Sequence, residues 1–153
     1  MYDNILVPTD GSDTAEAAVD RAVDLAAKYD ATVHALYVVD VDAVNYSLGT
    51  EQVDRIRQGH LDDMPEVKQA ADEATSYVAD AAAAAGVPAE EHVRAGQPAL
   101  AIRKAIDELG ADIVVMGSHG RSGISRALLG SVAEKVLRKT RIPVLVVDAR
   151  GEE

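Results

Sequence analysis

The stretch Met116 to Leu137, MGSHGRSGISRALLGSVAEKVL, places Gly117, Gly120, Gly123 and Gly130 between an apolar run and a helix-like segment. Glycine loses more backbone entropy on folding than any other residue, so such a cluster needs a physical reason. Gly117-Ser118-His119-Gly120 directly follows the apolar run, where backbone N–H groups can splay into an anion-binding concavity. Gly130-Ser131 opens a helix whose first N–H groups lack intrahelical partners and carry a positive partial charge. Residues 121–129 can curl so that both sets of donors face one anion. Side chains at the glycine positions would obstruct that approach. Arg121 and Arg126 add cationic reach to a chain otherwise poor in positive charge. The chemistry suggested is phosphate binding. A second reading stands beside it: Ser131-Val-Ala-Glu134 is a good capping box, in which Ser131 only caps its helix and the glycines only turn the chain.

Other chemistry-bearing residues are less suggestive. GxxxxGK[ST] and GxGxxG are both absent. Ser118, His119 and Asp10 have the residue types of a hydrolytic triad, but Ser118 and His119 are sequence neighbours and GxSxG is missing. His34, His60 and His92 are scattered without ligand spacing, so no protein metal site is expected. Asp62-Asp63 and Glu90-Glu91 read as solvated surface, and Tyr29, Tyr37, Tyr46 and Tyr77 as packing residues. No catalytic residue is assigned. No general base is evident that would activate a water.

The elements that must position the glycine segment follow from hydrophobic periodicity. Ile5-Leu6-Val7, closed by Pro8, reads as a buried strand. A helix with apolar positions Ala15, Ala18, Val19, Ala22, Val23 and Ala26 follows, its start marked by Asp13 and Glu16 as a capping pair. Ala31–Val39 is a second strand, and residues 40–65 a long polar loop. Glu66–Ala85 is an Ala-rich helix, stopped by Gly86 and Pro88. Ala89–Gly96 is a short strand near an edge. Pro98 begins a helix that Gly110 ends. ADIVVMG is a central strand, apolar on both faces as parallel sheets require. After the glycine segment come a helix carrying Val132, Val136 and Leu137 and a last strand, VLVV, at 144–147.

Five strands alternating with four helices imply right-handed crossovers and a parallel sheet covered on both faces. The expected architecture is α/β: a doubly wound, Rossmann-like or flavodoxin-like five-stranded sheet of order 3-2-1-4-5, in one domain over residues 1–153. Ligands of such sheets sit beyond the carboxyl ends of the strands, where strand order reverses. The glycine segment follows the fourth strand at that end.

Composition narrows the function classes. The chain has no Phe, Trp or Cys, so its core is built from Val, Leu, Ile and Ala, and disulfides and thiolate metal sites are excluded. A net charge of −11 repels phosphate backbones, which argues against nucleic acid as partner, and suggests adaptation to high salt. No signal peptide is read at MYDNILVPTD, and no apolar run approaches the roughly 20 residues that span a bilayer. A soluble, cytoplasmic protein is expected.

The segment MGSHGRSGISRALLGSVAEKVL resembles the G-x2-G-x9-G-[ST] signature of universal stress proteins of the ATP-binding type, with Gly117, Gly120, Gly130 and Ser131 on its defined positions. The resemblance extends along the chain through ILVPTDGS, YVVD, ADIVVMGSHG and IPVLVV. It implies an adenine pocket at Pro8, Thr9 and Asp10 and at Val38, with Met116 against the base or ribose and Asp10 at a ribose hydroxyl. It further implies phosphates on the N–H groups of Gly117, His119, Gly120, Gly130, Ser131 and Val132, with the Ser131 hydroxyl as a further donor and Arg121 nearby. ATP (or ADP or AMP) is the implied ligand, with Mg²⁺ or Mn²⁺ held through phosphates and water. A homodimer through antiparallel pairing of Val144–Val147 is implied as well. The expected role is stress-response regulation through the nucleotide-bound state, with at most slow hydrolysis. The alternatives are a nucleotide-free interaction module and an adenine-nucleotide-using transferase. The turn PTDGSD lacks the SGGxDS pattern of ATP pyrophosphatases with related folds, which argues against the transferase.

Overall fold

The computed structural model describes residues 2–40, 64–119 and 129–148. The order is β1 (Asn4–Pro8), α1 (Asp13–Tyr29), β2 (Thr32–Asp40), α2 (Pro65–Ala84), β3 (Ala89–Gly96), α3 (Pro98–Leu109), β4 (Ile113–Gly117), α4 (Ser131–Lys139) and β5 (Val144–Val147). The strands form one parallel sheet of order β3-β2-β1-β4-β5, as the alternation of elements predicts. The order reverses between β1 and β4, so their carboxyl ends border a crevice.

Side chains alternate across the sheet and divide the core in two. Ile5, Val7, Val33, Ala35, Ile113 and Val115 pack with Ala18, Val19 and Ala22 of α1 and Val78 and Ala82 of α2. On the opposite face Leu6, Leu36, Val114 and Met116 pack with Ala99, Ile102 and Ile106 of α3 and Ala133 and Val136 of α4. With no Phe or Trp to fill space, alanine-rich helix faces lie close to a β-branched sheet. Ala18, Ala22 and Ala82 are all fully buried.

The N-terminal caps of α1 and α4 differ from expectation. The α1 cap is Ser12, whose side chain accepts from the Ala15 N–H, and Asp13 is already helical. At α4 the cap is Gly130, without a side-chain bond, and Ser131 is the first helical residue. The capping-box reading of Ser131 is therefore corrected: a first-turn hydroxyl sits one place too late to close the box. β1 extends through Pro8, because the missing N–H falls at the strand's last residue and pairing resumes with Thr9 N–H donating to Leu36 O at 2.9 Å. The long loop expected at 40–65 lies, but for its ends, outside the described residues.

Candidate functional site

Two strand-to-helix turns form the crevice walls. In the first, the Gly11 N–H donates to Thr9 Oγ1 at 3.1 Å and the Ser12 N–H to Asp10 Oδ1 at 3.0 Å. Gly11 takes φ 79°, a left-handed conformation that glycine adopts without penalty. The result is a tight, internally bonded turn in which a buried Thr9 and a half-exposed Asp10 precede the N-terminus of α1.

The second turn is organised by Ser118, which is only 4% exposed. Its N–H donates to Val147 O at 2.8 Å, holding the end of β4 to β5, while its carbonyl accepts from the Gly130 N–H at 2.7 Å. That second bond brings the N-terminus of α4 against the end of β4. The first-turn amides of Ser131 and Val132 have no acceptor within the helix, because the first intrahelical bond there runs from Glu134 N–H to Gly130 O. An anion at this terminus would meet those donors and the positive end of the helix dipole.

Gly117 has a packing reason for lacking a side chain. A Cβ there would lie 2.9 Å from Thr14 Cγ2, 3.0 Å from the Thr14 carbonyl carbon and 3.1 Å from Ala15 N. The glycine lets the first turn of α1 cross over the end of β4, which draws the two turns together.

The other expected site residues fall as follows. Pro8 and Val38 lie at the carboxyl ends of β1 and β2 on the face that carries Met116. Met116 is 5% exposed and belongs to the α3/α4 core, so it backs the crevice and offers it little surface. The Gly130 amide, expected among the phosphate donors, is engaged by Ser118. His119 is half-exposed at the crevice, its Nδ1 2.9 Å from Ser118 Oγ. The two neighbours thus do meet, although a hydroxyl buried to this degree is poorly presented to a substrate. Gly120 and Arg121 lie outside the described residues.

The histidines correct the sequence reading. His34 and His92 are not scattered: their rings stack with centroids 5.3 Å apart, and His34 Nδ1 lies 3.1 Å from His92 Nε2. Parallel pairing of β2 with β3, with His34 opposite Glu90 and Leu36 opposite His92, brings them together from 58 residues apart. Burial depresses the pKa of His34 below 6.5, opposed by Glu90. Burial also depresses that of His92, helped by His34 and Arg94 and opposed by Glu90 and Glu108. This cluster is at the amino end of the sheet, away from the crevice.

Strand order, the crevice at its reversal and the two helix N-termini there define a doubly wound α/β domain of the kind that takes ligands at its carboxyl edge. Comparison with known proteins narrows the class. A model described as the universal stress protein family matches residues 1–148, and the chain belongs to that family. Universal stress protein MJ0531 of Methanocaldococcus jannaschii is 37% identical over 154 residues, spanning 100% of this chain and 86% of the relative. Universal stress protein YxiE of Bacillus subtilis is 35% identical, over 96% of this chain and 99% of its own. The solved structure of MJ0577 superposes with a TM-score of 0.75 at 30% identity, covering 97% of this chain and 96% of that one. A universal stress protein solved in complex with cAMP is 30% identical with a TM-score of 0.65, over 96% of this chain and 97% of its own.

Proposed function

We propose that the crevice binds an adenine nucleotide, ATP foremost, and that the protein acts as a stress-response regulator through its nucleotide-bound state. The observation that carries this reading is the bond from Gly130 N–H to Ser118 O, which sets the Ser131 and Val132 amides, without acceptors inside their helix, beside the end of β4 at the strand-order reversal. The phosphates rest on those amides, with the Ser131 hydroxyl as a further donor. Val38 offers apolar surface to the base, with the buried Pro8 behind the crevice, and Asp10 meets a ribose hydroxyl. Gly117, His119, Gly120 and Arg121 complete the phosphate loop. The cAMP complex of a relative supports an adenine nucleotide as the ligand class. Mg²⁺ or Mn²⁺ enters bound to phosphate oxygens and water, a mode that needs few protein ligands. Hydrolysis is slow at most, for want of a positioned base. The protein is a cytoplasmic homodimer paired along β5, an edge strand that exposes Leu145 at 42%.

Isothermal titration with ATP and Mg²⁺ in high salt tests the reading: saturable binding is expected, and none at millimolar nucleotide defeats it. Gly130→Val keeps an allowed backbone, since Gly130 has φ −65° and ψ 156°, but crowds the helix N-terminus. It should lower ATP affinity at least tenfold with the melting temperature held. Parallel titration with cAMP separates the cyclic nucleotide from ATP as preferred ligand. Sedimentation of Leu145→Glu should give monomers.

A further inference from the structure

The amino end of the sheet holds a second constellation, unrelated to the crevice. His34, Glu90 and His92 each offer one ligand atom, and the three atoms lie within 4.8 Å of one another. Among the described residues no other group of three such side chains converges in this way. His34 is 4% exposed, His92 half-buried and Glu90 exposed, so the group grades from core to solvent at edge strand β3.

The hydrogen bonding orients the inner ligand. Asn4 Nδ2 makes a long 3.5 Å bond to Gly110 O, at the end of α3, which turns Asn4 Oδ1 toward His34. His34 Nε2 lies 3.0 Å from that oxygen and donates its proton to it. The Nδ1 atom is then the unprotonated nitrogen, and it faces His92 Nε2. A ligating histidine whose second ring nitrogen donates to an oxygen is the usual arrangement around a bound metal, because it fixes both tautomer and ring plane.

We propose that His34 Nδ1, His92 Nε2 and a Glu90 carboxylate oxygen form a binding site for one divalent cation of the imidazole-preferring kind, with Zn²⁺ as its representative. A tetrahedral Zn²⁺ with bonds of about 2.0–2.1 Å spaces its nitrogens about 3.3–3.4 Å apart. The present 3.1 Å separation needs to open by only a few tenths of an ångström. Glu90 is directly opposite His34 in the strand register and, being exposed, is free to rotate onto the ion. Water takes the fourth position on the solvent side. Two imidazoles with one carboxylate favour Zn²⁺, Cu²⁺ or Ni²⁺ over Mg²⁺ and Ca²⁺, which prefer all-oxygen sites. The surroundings help a cation: Glu108 lies close enough to pair with Arg94 at 3.6 Å, drawing off a positive side chain that acts on His92.

The test uses the full chain, stripped of metal by a chelator, titrated with Zn²⁺ alone while excess Mg²⁺ occupies oxygen-only sites. One equivalent of Zn²⁺ is expected to bind and to raise the melting temperature by mass action. Co²⁺ is expected to give the strong visible bands of a four-coordinate ion. His92→Gln and Glu90→Gln change half-buried and exposed edge positions, which keeps the fold. Each is expected to weaken Zn²⁺ binding by about tenfold or more, the scale seen when a metal site loses a supporting group. ATP binding is expected to be unchanged in both. Absence of a stoichiometric Zn²⁺ site overturns the proposal, as does a site that survives either substitution undiminished. Carbon-bound ring protons of His34 and His92 that fail to shift on adding Zn²⁺ also overturn it.

Discussion

The crevice at the carboxyl ends and the histidine cluster at the amino ends occupy one sheet, yet they are made in opposite ways. The crevice is backbone chemistry: N–H groups at two helix starts, brought close because Gly117 has no side chain and the Gly130 amide is tied to Ser118 O. The histidine cluster is side-chain chemistry, assembled by strand register alone. The first needs residues that are absent; the second needs residues that are present in the right row. Leu36 belongs to both, since its carbonyl accepts from Thr9 N–H at the crevice while its register partner is His92.

Leu36→Ala should therefore erase the contrast. The side chain is fully buried, and its removal costs about 2–5 kcal/mol. Denaturant melts should show that loss, with ATP and Zn²⁺ binding weakened together. If one function survived intact, the two ends would be less coupled through β2 than the packing indicates. Gly117→Ala breaks the crevice side. The new methyl must displace the Thr14 backbone, so a loss of about 1–3 kcal/mol is expected, with ATP affinity reduced and Zn²⁺ binding retained.

Acidification probes the other end. The folded-state pKa values of His34 and His92 lie below the unfolded value of 6.5. The unfolded chain thus binds more protons as pH falls, and stability that is complete above about 6.5 declines below it. Melting temperatures between pH 7.5 and 5.5 should drop in the metal-free protein. His34→Gln should flatten that slope, although Glu90, Glu108 and Arg94 still face the remaining ring; an unchanged slope would remove the pair from the account. The smallest effect on stability belongs to Ser131→Ala. Since Gly130 is the cap, stability should change by less than about 0.5 kcal/mol. ATP affinity should nonetheless fall. A marked loss of stability would instead restore Ser131 as a structural cap.

The same contrast explains what was legible in the sequence. The fold was readable because periodicity and stop signals are local: Ala89–Gly96 and the Pro98 start of α3 coincide with the observed bounds, and alternation alone implied the sheet. The glycine segment was readable as a motif because its spacing is contiguous. Its energetics were less so. Nothing in a string of letters shows that Gly117 makes room for α1, or that a glycine caps α4 in place of the neighbouring serine, since both depend on how one element approaches another. His34 and His92 were opaque for the strongest form of that reason. Their proximity comes from the pairing of β2 with β3, and one residue of slip would send His92 to the opposite face. Aligning the two strands by their starts would not reveal it: His34 is the third residue of β2 and His92 the fourth of β3, which puts them on opposite faces, whereas the observed register sets Ala89 opposite Val33 and brings both rings to one face.

Ser118 has a consequence for how this chain tolerates change. Its carbonyl receives the Gly130 amide, so positions 118 and 130 are held side by side at the end of β4. A segment whose ends are already clasped transmits little tension to the body, whatever its length. Closure entropy grows only logarithmically, by about 0.6 kcal/mol for each doubling of length. Changes of length between positions 118 and 130 should therefore cost the fold little, so that ligand preference can vary while the scaffold stays fixed.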